Sequence, residues 1–270
     1  MATSNLETQT SNLNTAHSKL KTQNSKLVIK IGGNDLDSPA FVAELARAVA
    51  AMRPVPVLVH GGGKEIGIVQ QALGGEPRFV EGLRVTDAEA LQAAEMVLCG
   101  LVSTRLTAAL IQAGADAQGL SGVDRGLVRV EKMQHAAGDL GRVGRPVAVR
   151  ADVLRELCER GVVPVVAPIS LGDDGTYNVN ADEVAGAIAA ALGDAEVVFV
   201  TNVPGVLVAG QLQQRLTRAY VYNLIADGTI SGGMIPKVRS ALAALDAGVQ
   251  RARITNLAGL ASGAGTLVSG

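Results

Sequence analysis

A short aliphatic strand that ends on glycines and leads into a helix occurs twice in succession near the start of the chain. The first is KLVIKIGG, Lys26 to Gly33, followed by SPAFVAELARAVAAM; the second is VPVLVHGGG, followed by a helical pattern over Lys64–Leu73. In the first helix Ser38 stands at the N-cap and Pro39 at the first helical position. Strand, glycine turn and helix in that order predict a parallel sheet with helices on its faces, because a parallel neighbour needs a crossover. The runs of Val, Ile and Leu suit strands buried on both faces. Composition agrees: 48% of residues are hydrophobic but only 2% aromatic, so the core is built of small aliphatic side chains.

The pattern continues. A long helix is expected over Thr86–Ala113 with Asp87 as an acid in its first turn, then short strands in GADAQGLSG and GLVRVEKM forming a hairpin beside the sheet. Arg150–Arg160 reads as a helix, VVPVVAP as a third buried strand, and a helix runs from near Ala181 to Gly193. AEVVFV is a fourth strand, helices follow over Thr217–Ala226 and Gly233–Ala247, and QRARIT is the last strand. Residues 1–26, rich in Ser, Thr, Asn and Gln, have too little apolar surface to offset their ordering entropy and read as a disordered tail.

Several function classes are disfavoured. A net charge of −1, without a basic stripe, argues against nucleic acid. No apolar run approaches a membrane span and the first 26 residues are polar, so neither membrane nor export is expected and the cytoplasm is the default. Cys99 and Cys158 show no metal spacing and read as small core residues.

The chemistry concentrates at the glycines. Lys30 lies inside an apolar strand, where it either snorkels at an edge or has its charge used. Glycines follow it at the carboxyl end of the strand, the place where α/β folds bind ligands. HGGGKEIG repeats the arrangement, and its free backbone N–H groups suit an anion beside a helix N-terminus. It is neither a Walker A loop, since Glu65 follows Lys64, nor a Rossmann fingerprint, since Ile66 replaces the last glycine. An esterase oxyanion hole would need a G-x-S-x-G elbow, which the chain lacks. Further along, GLRVTD offers Arg84 as a carboxylate clamp or a surface residue, and NVNAD packs two amides and an acid at a helix start, where capping alone would account for Asn180. GGMIPKV places Lys237 in a first helical turn.

Taken together and in this order, Lys-x-Gly-Gly, HGGG, GLRVTD, NVNAD and GGMxxK resemble the amino acid kinase family over about Leu27 to the C-terminus. GLRVTD and NVNAD are similar to the branch that phosphorylates the side-chain carboxylate of N-acetyl-L-glutamate in arginine biosynthesis. The resemblance implies a three-layer α/β/α sandwich around a mainly parallel central sheet. It implies an N-terminal lobe, 27–170, for acyl-amino-acid binding and dimerisation, and a C-terminal lobe, 171–270, for ATP. Carried over by motif, Lys30 and Lys237 would stabilise the phosphoryl group in transit and Asp182 would orient both lysines. Gly62, Gly63, Arg84 and Asn178 would bind the acyl amino acid. Gly32, Gly33, Thr201, Asn202, Gly205, Gly232, Gly233 and Met234 would bind ATP, with Mg²⁺ held mainly by the nucleotide phosphates and no protein metal site.

The chain also departs from the family pattern. Asn202 stands in TNVPG where many relatives carry Asp, which removes a charge from the ATP loop. The polar N-terminal segment and ITNLAGLASGAGTL replace the segments shared by arginine-inhibited members, so an arginine-insensitive homodimer is expected. Two other readings stay open: a sibling kinase acting on N-acetyl-aminoadipate, one methylene longer, and a non-catalytic nucleotide- or metabolite-binding regulator. A nicotinamide oxidoreductase lacks its fingerprint.

Overall fold

The computed structural model describes residues 26–33 and 35–270, so the expected polar tail lies outside the described residues except for Lys26. The chain begins with β1 (Lys26–Ile31), α1 (Pro39–Ala50), β2 (Val57–His60), α2 (Gly63–Ala72), the small hairpin β3 (Phe79–Val80) and β4 (Leu83–Arg84), and α3 (Ala88–Gln112). Next come β5 (Asp116–Gly122), β6 (Val128–Lys132), β7 (Val143–Val149), α4 (Ala151–Glu159), β8 (Val162–Gly172), β9 (Gly175–Val179) and α5 (Ala181–Leu192). The last part holds β10 (Ala195–Val200), β11 (Leu207–Val208), β12 (Gln211–Leu212), β13 (Arg215–Thr217), α6 (Arg218–Ala226), α7 (Met234–Asp246), β14 (Arg251–Thr255), α8 (Leu257–Ser262) and β15 (Thr266–Ser269).

One 11-stranded sheet runs in the order β13-β15-β14-β10-β1-β2-β8-β6-β7-β9, with β5 paired to β8. From β14 to β8 all neighbours are parallel, as the glycine-turn pattern requires. Two apolar cores cover its two faces. Val28, Val57, Val197 and Ile254 pack under α4, α5, α6 and α7; Ile29, Ile31, Leu58 and Val198 pack under α1, α3 and α8. This is the three-layer α/β/α sandwich. The period of two places Lys30 on the same face as Val28, towards α5, and in register with Val59 and Phe199.

Several local expectations change. GADAQGLSG and GLVRVEKM do not pair with each other: β5 joins β8 in parallel, and β6 forms its hairpin with β7. The strand β7, VGRPVAV, is hidden in the sequence by Gly144 and Pro146. Its register shifts beside Pro146 where Val147 is left unpaired, the kind of bulge that tolerates proline. A two-residue turn at Asp173–Asp174 adds β9, antiparallel to β8. The last strand is β15, not QRARIT, because the αL cap at Gly263 lets the chain return antiparallel to β14.

The long helix is built for the core. Asp87 is its N-cap, accepting from Ala90 N at 2.9 Å, and Met96–Val102 is π-helical. By length and composition α3 is apolar enough to cross a membrane, contrary to the expectation from sequence. Its Ala93, Val97, Leu106 and Leu110 are buried in the core, and Arg105 on the same helix pairs bidentately with Glu65. Cys99, expected in the core, is exposed on the π-helical turn, whereas Cys158 is half-buried.

Candidate active site

The parallel strands end level with one another. Ile31 is in register with both His60 and Val200, so the residues that follow β1, β2 and β10 meet at one edge. There the two glycine turns pack backbone to backbone. A Cβ on Gly33 would lie 2.0 Å from Gly63 N and 2.7 Å from the carbonyl carbon of Gly62. Gly61 N–H donates to Ile31 O at 3.1 Å, and Gly63 takes a φ of 52°. Gly62 is buried, and a side chain there would strike Ile66 at 2.6 Å.

In front of these turns lies a cleft of about 430 Å³ lined by Lys30, Gly32, Gly33, Gly63, Asp182, Thr201, Asn202 and Lys237, together with Asp35, Phe199, Val200 and Ser240. Lys30 Nζ sits 2.7 Å from Asp182 Oδ1. Asp182 lies in the first turn of α5, whose N-cap Asn180 accepts from Asp182 N at 2.8 Å. Opposite, Lys237 Nζ donates to Asn202 Oδ1 at 3.0 Å. Asp182 therefore holds Lys30 directly but not Lys237, whose direct partner is Asn202. Thr201 is buried at the end of β10, its N–H donating to Thr255 O at 2.8 Å.

Other expected residues lie elsewhere. Asn178 Nδ2 donates to Thr86 Oγ1 at 3.2 Å, and Thr86 Oγ1 donates to Arg84 O at 2.9 Å, so a buried threonine joins these two motifs. The Arg84 guanidinium donates to Gln70 Oε1 at 2.8 Å and stacks 4.7 Å over Phe79. Burial holds its pKa below the usual arginine value. Gly232, with a φ of 53°, Gly233 and Met234 form the turn before Lys237 but do not line the cleft. Gly205 serves packing. Its φ is 148°, a Cβ would meet Thr266 Oγ1 at 2.6 Å, and Val206 N–H donates to that oxygen at 2.8 Å.

Two further cleft residues belong to none of the sequence motifs. Asp35, close behind Gly33, has its carboxyl pKa raised by burial and opposed by Lys30 and Lys237. Ser240, three residues after Lys237 on α7, donates to Asp182 Oδ2. Its helical spacing from Lys237 is the one signal in the sequence that could have marked it. His60 is fully buried, and burial lowers its pKa to about 4, so it is neutral at pH 7 and faces Gly61 O rather than the cleft. It is unsuited to proton transfer there.

Two ammonium groups facing glycine backbone at strand ends suit a polyanion. Among the described residues, no group of three or more His, Cys, Asp or Glu is placed to hold a metal ion. A divalent cation here would take most of its oxygens from a bound ligand.

Comparison with known proteins agrees. The model of the amino acid kinase family matches residues 25–256. The chain is 72% identical over 243 residues to an acetylglutamate kinase of Roseiflexus sp. strain RS-1, covering 90% of this chain and 93% of that one. It is 74% identical over 234 residues to an acetylglutamate kinase of Roseiflexus castenholzii, covering 87% and 90%. Among solved structures, smu.665 from Streptococcus mutans UA159 superposes with a TM-score of 0.73 at 30% identity, covering 90% of this chain and 98% of that chain. With its level strand ends, paired glycine turns and two lysines across one cleft, the chain belongs to the amino acid kinase family.

Proposed function

We propose that this protein transfers the γ-phosphoryl group of ATP to the side-chain carboxylate of N-acetyl-L-glutamate, forming an acyl phosphate in arginine biosynthesis. The observation that carries this reading is the cleft itself: Lys30 fixed on Asp182, Lys237 facing it, and glycine backbone between them. The naming of the Roseiflexus relatives supports the substrate.

ATP supplies the phosphoryl group, and Mg²⁺ held mainly by its phosphates shares in neutralising charge. Lys30 and Lys237 stabilise the charge on the phosphoryl oxygens as it passes between donor and acceptor. Asp182 keeps Lys30 in place. The turns at Gly32–Gly33 and Gly62–Gly63 let a ligand approach backbone N–H groups that side chains would cover. Arg84, stacked on Phe79, and Asn178, tied through Thr86, grip the acyl amino acid. The loops at Thr201–Gly205 and Gly232–Met234 take the nucleotide. A carboxylate acceptor is already ionised at neutral pH, so no general base is needed, which fits a neutral, buried His60. In this reading residues 27–170 serve the acyl substrate and 171–270 the nucleotide.

We further propose a cytoplasmic homodimer without nucleic-acid or membrane partners. Exposed Met96, Leu101 and Ile111 on α3 support a partner copy on that face. The experiment is direct: purified protein with ATP and Mg²⁺ is offered N-acetylglutamate or N-acetyl-aminoadipate, and the acyl phosphate is trapped with hydroxylamine. A hydroxamate from N-acetylglutamate is expected. One from N-acetyl-aminoadipate alone would transfer the protein to the lysine-type reaction, and none from either would sink the kinase reading.

A further inference from the structure

Asp182 is the hub of the cleft, yet only one of its oxygens is taken by Lys30, at 2.7 Å. The other, Oδ2, accepts from Ser240 Oγ. Ser240 has a second acceptor within reach, Pro236 O at 3.1 Å, one turn back on its own helix. A serine hydroxyl carries a single proton. A bond to a carboxylate is stronger than one to a neutral carbonyl, so the proton goes to Asp182. Serine in a helix commonly turns back on its own backbone; here a charged acceptor draws it across to α5.

The geometry points to Ser240 as a positioning residue: it locks the Asp182 carboxylate from α7 and thereby couples Lys30 on β1 to the helix that carries Lys237. The inference rests on the phosphoryl-transfer reading above. Oδ1 is ion-paired with Lys30 but has no hydrogen bond, so the bond from Ser240 to Oδ2 is what opposes rotation of the carboxylate and keeps Lys30 directed into the cleft. Since Lys237 rests on Asn202, Ser240 supplies the link to α7 that Asp182 does not make through Lys237. One turn of helix separates Ser240 from Lys237, so this hydroxyl ties the Asp182–Lys30 pair to the same stretch of α7, whose packing on α5 includes Gly186 against Ala244. Ser240 touches the cleft only beside Asp182 and acts through it.

The test compares Ser240→Ala and Ser240→Thr in the full chain. The Ala variant is expected to lose about tenfold in kcat, the effect of one lost bond to a charged group, with KM for N-acetylglutamate within about twofold. The Thr variant keeps the hydroxyl and is expected to recover kcat to within about twofold of wild type. A second measurement needs no turnover: competitive acetylation by acetic anhydride, read by mass spectrometry against exposed Lys64. Lys30 labelling rises in Ser240→Ala and returns in Ser240→Thr if the hydroxyl holds the ion pair. Unchanged kcat and unchanged Lys30 labelling in Ser240→Ala would overturn the inference. So would a fall in kcat that Thr does not restore while both variants unfold at the wild-type temperature. Should the wild type itself be silent towards N-acetylglutamate, the functional reading fails, and the labelling still decides whether Ser240 fixes Lys30.

Discussion

The two walls of the cleft are built in opposite ways. On the wall formed by β1 and β2, glycine is present because backbone is already there: a Cβ at Gly33 would sit 2.0 Å from Gly63 N, and Lys30 is ion-paired with Asp182. On the side of Thr201, Asn202 and Lys237, Gly205 is also packed, but a Cβ on Gly232 or Gly233, in the turn before Lys237, would meet nothing within 4 Å, and Lys237 leans on a neutral amide. The first wall is held by internal packing and the second leaves room for something else. In the proposed function that something is the nucleotide, so glycines pressed against backbone and glycines beside open space stand on opposite sides of one ligand region.

That contrast is open to attack from both sides. The largest effect is expected for Gly33→Ala, which forces one glycine turn off the other and should lower the free energy of unfolding by more than about 3 kcal/mol. A thermal midpoint close to wild type would show that the wall is not sealed. The two lysines should then separate. Lys237→Ala is expected to reduce kcat at least ~100-fold with an unchanged midpoint, whereas Lys30→Ala should lose comparable activity and also about 1–3 kcal/mol of stability, because it strands Asp182. Steady-state kinetics beside denaturant unfolding tests this, and equal stability loss in both variants would erase the difference between the walls. The smallest effect is Gly233→Ala. Its φ of −67° suits alanine, so destabilisation should stay below about 1 kcal/mol, a modest cost at an N-cap. KM for ATP should nonetheless rise severalfold; no change would mean that the open space beside Gly233 is not nucleotide space.

Much of the fold is legible in local pattern. Aliphatic runs closed by glycines announce β1 and β2, the aliphatic run AEVVFV announces β10, and Ser38, Asn180 and Gly193 mark helix ends that the structure keeps. The failures share a cause. Local pattern mispairs the β6–β7 hairpin because Pro146 and Gly144 obscure a strand that is stable only through its bulge and its neighbours. Helix α3 looks short of a membrane span because its Leu, Val, Met, Ile and Ala residues are interrupted by Glu95, Ser103, Thr104, Arg105 and Thr107, while its apolar face packs in the core. For the site, residue types are readable but partners are not: Asp182 is expected to hold both lysines and holds one, and Ser240 and Asp35 enter the cleft unannounced.

By itself, then, the sequence determined the alternation of strands and helices, the places where backbone must come close, and the two lysines that stand beside them. These follow from period, from glycine and from the cost of charge in an apolar strand, all of which act within a few residues. Only the tertiary structure decided that Asp182 pairs with Lys30 and not with Lys237, that Lys237 rests on Asn202, and that a serine on α7 bonds the other oxygen of Asp182. Such pairings depend on contacts between residues far apart in the chain, which exist only once the sheet has set the register of its strands.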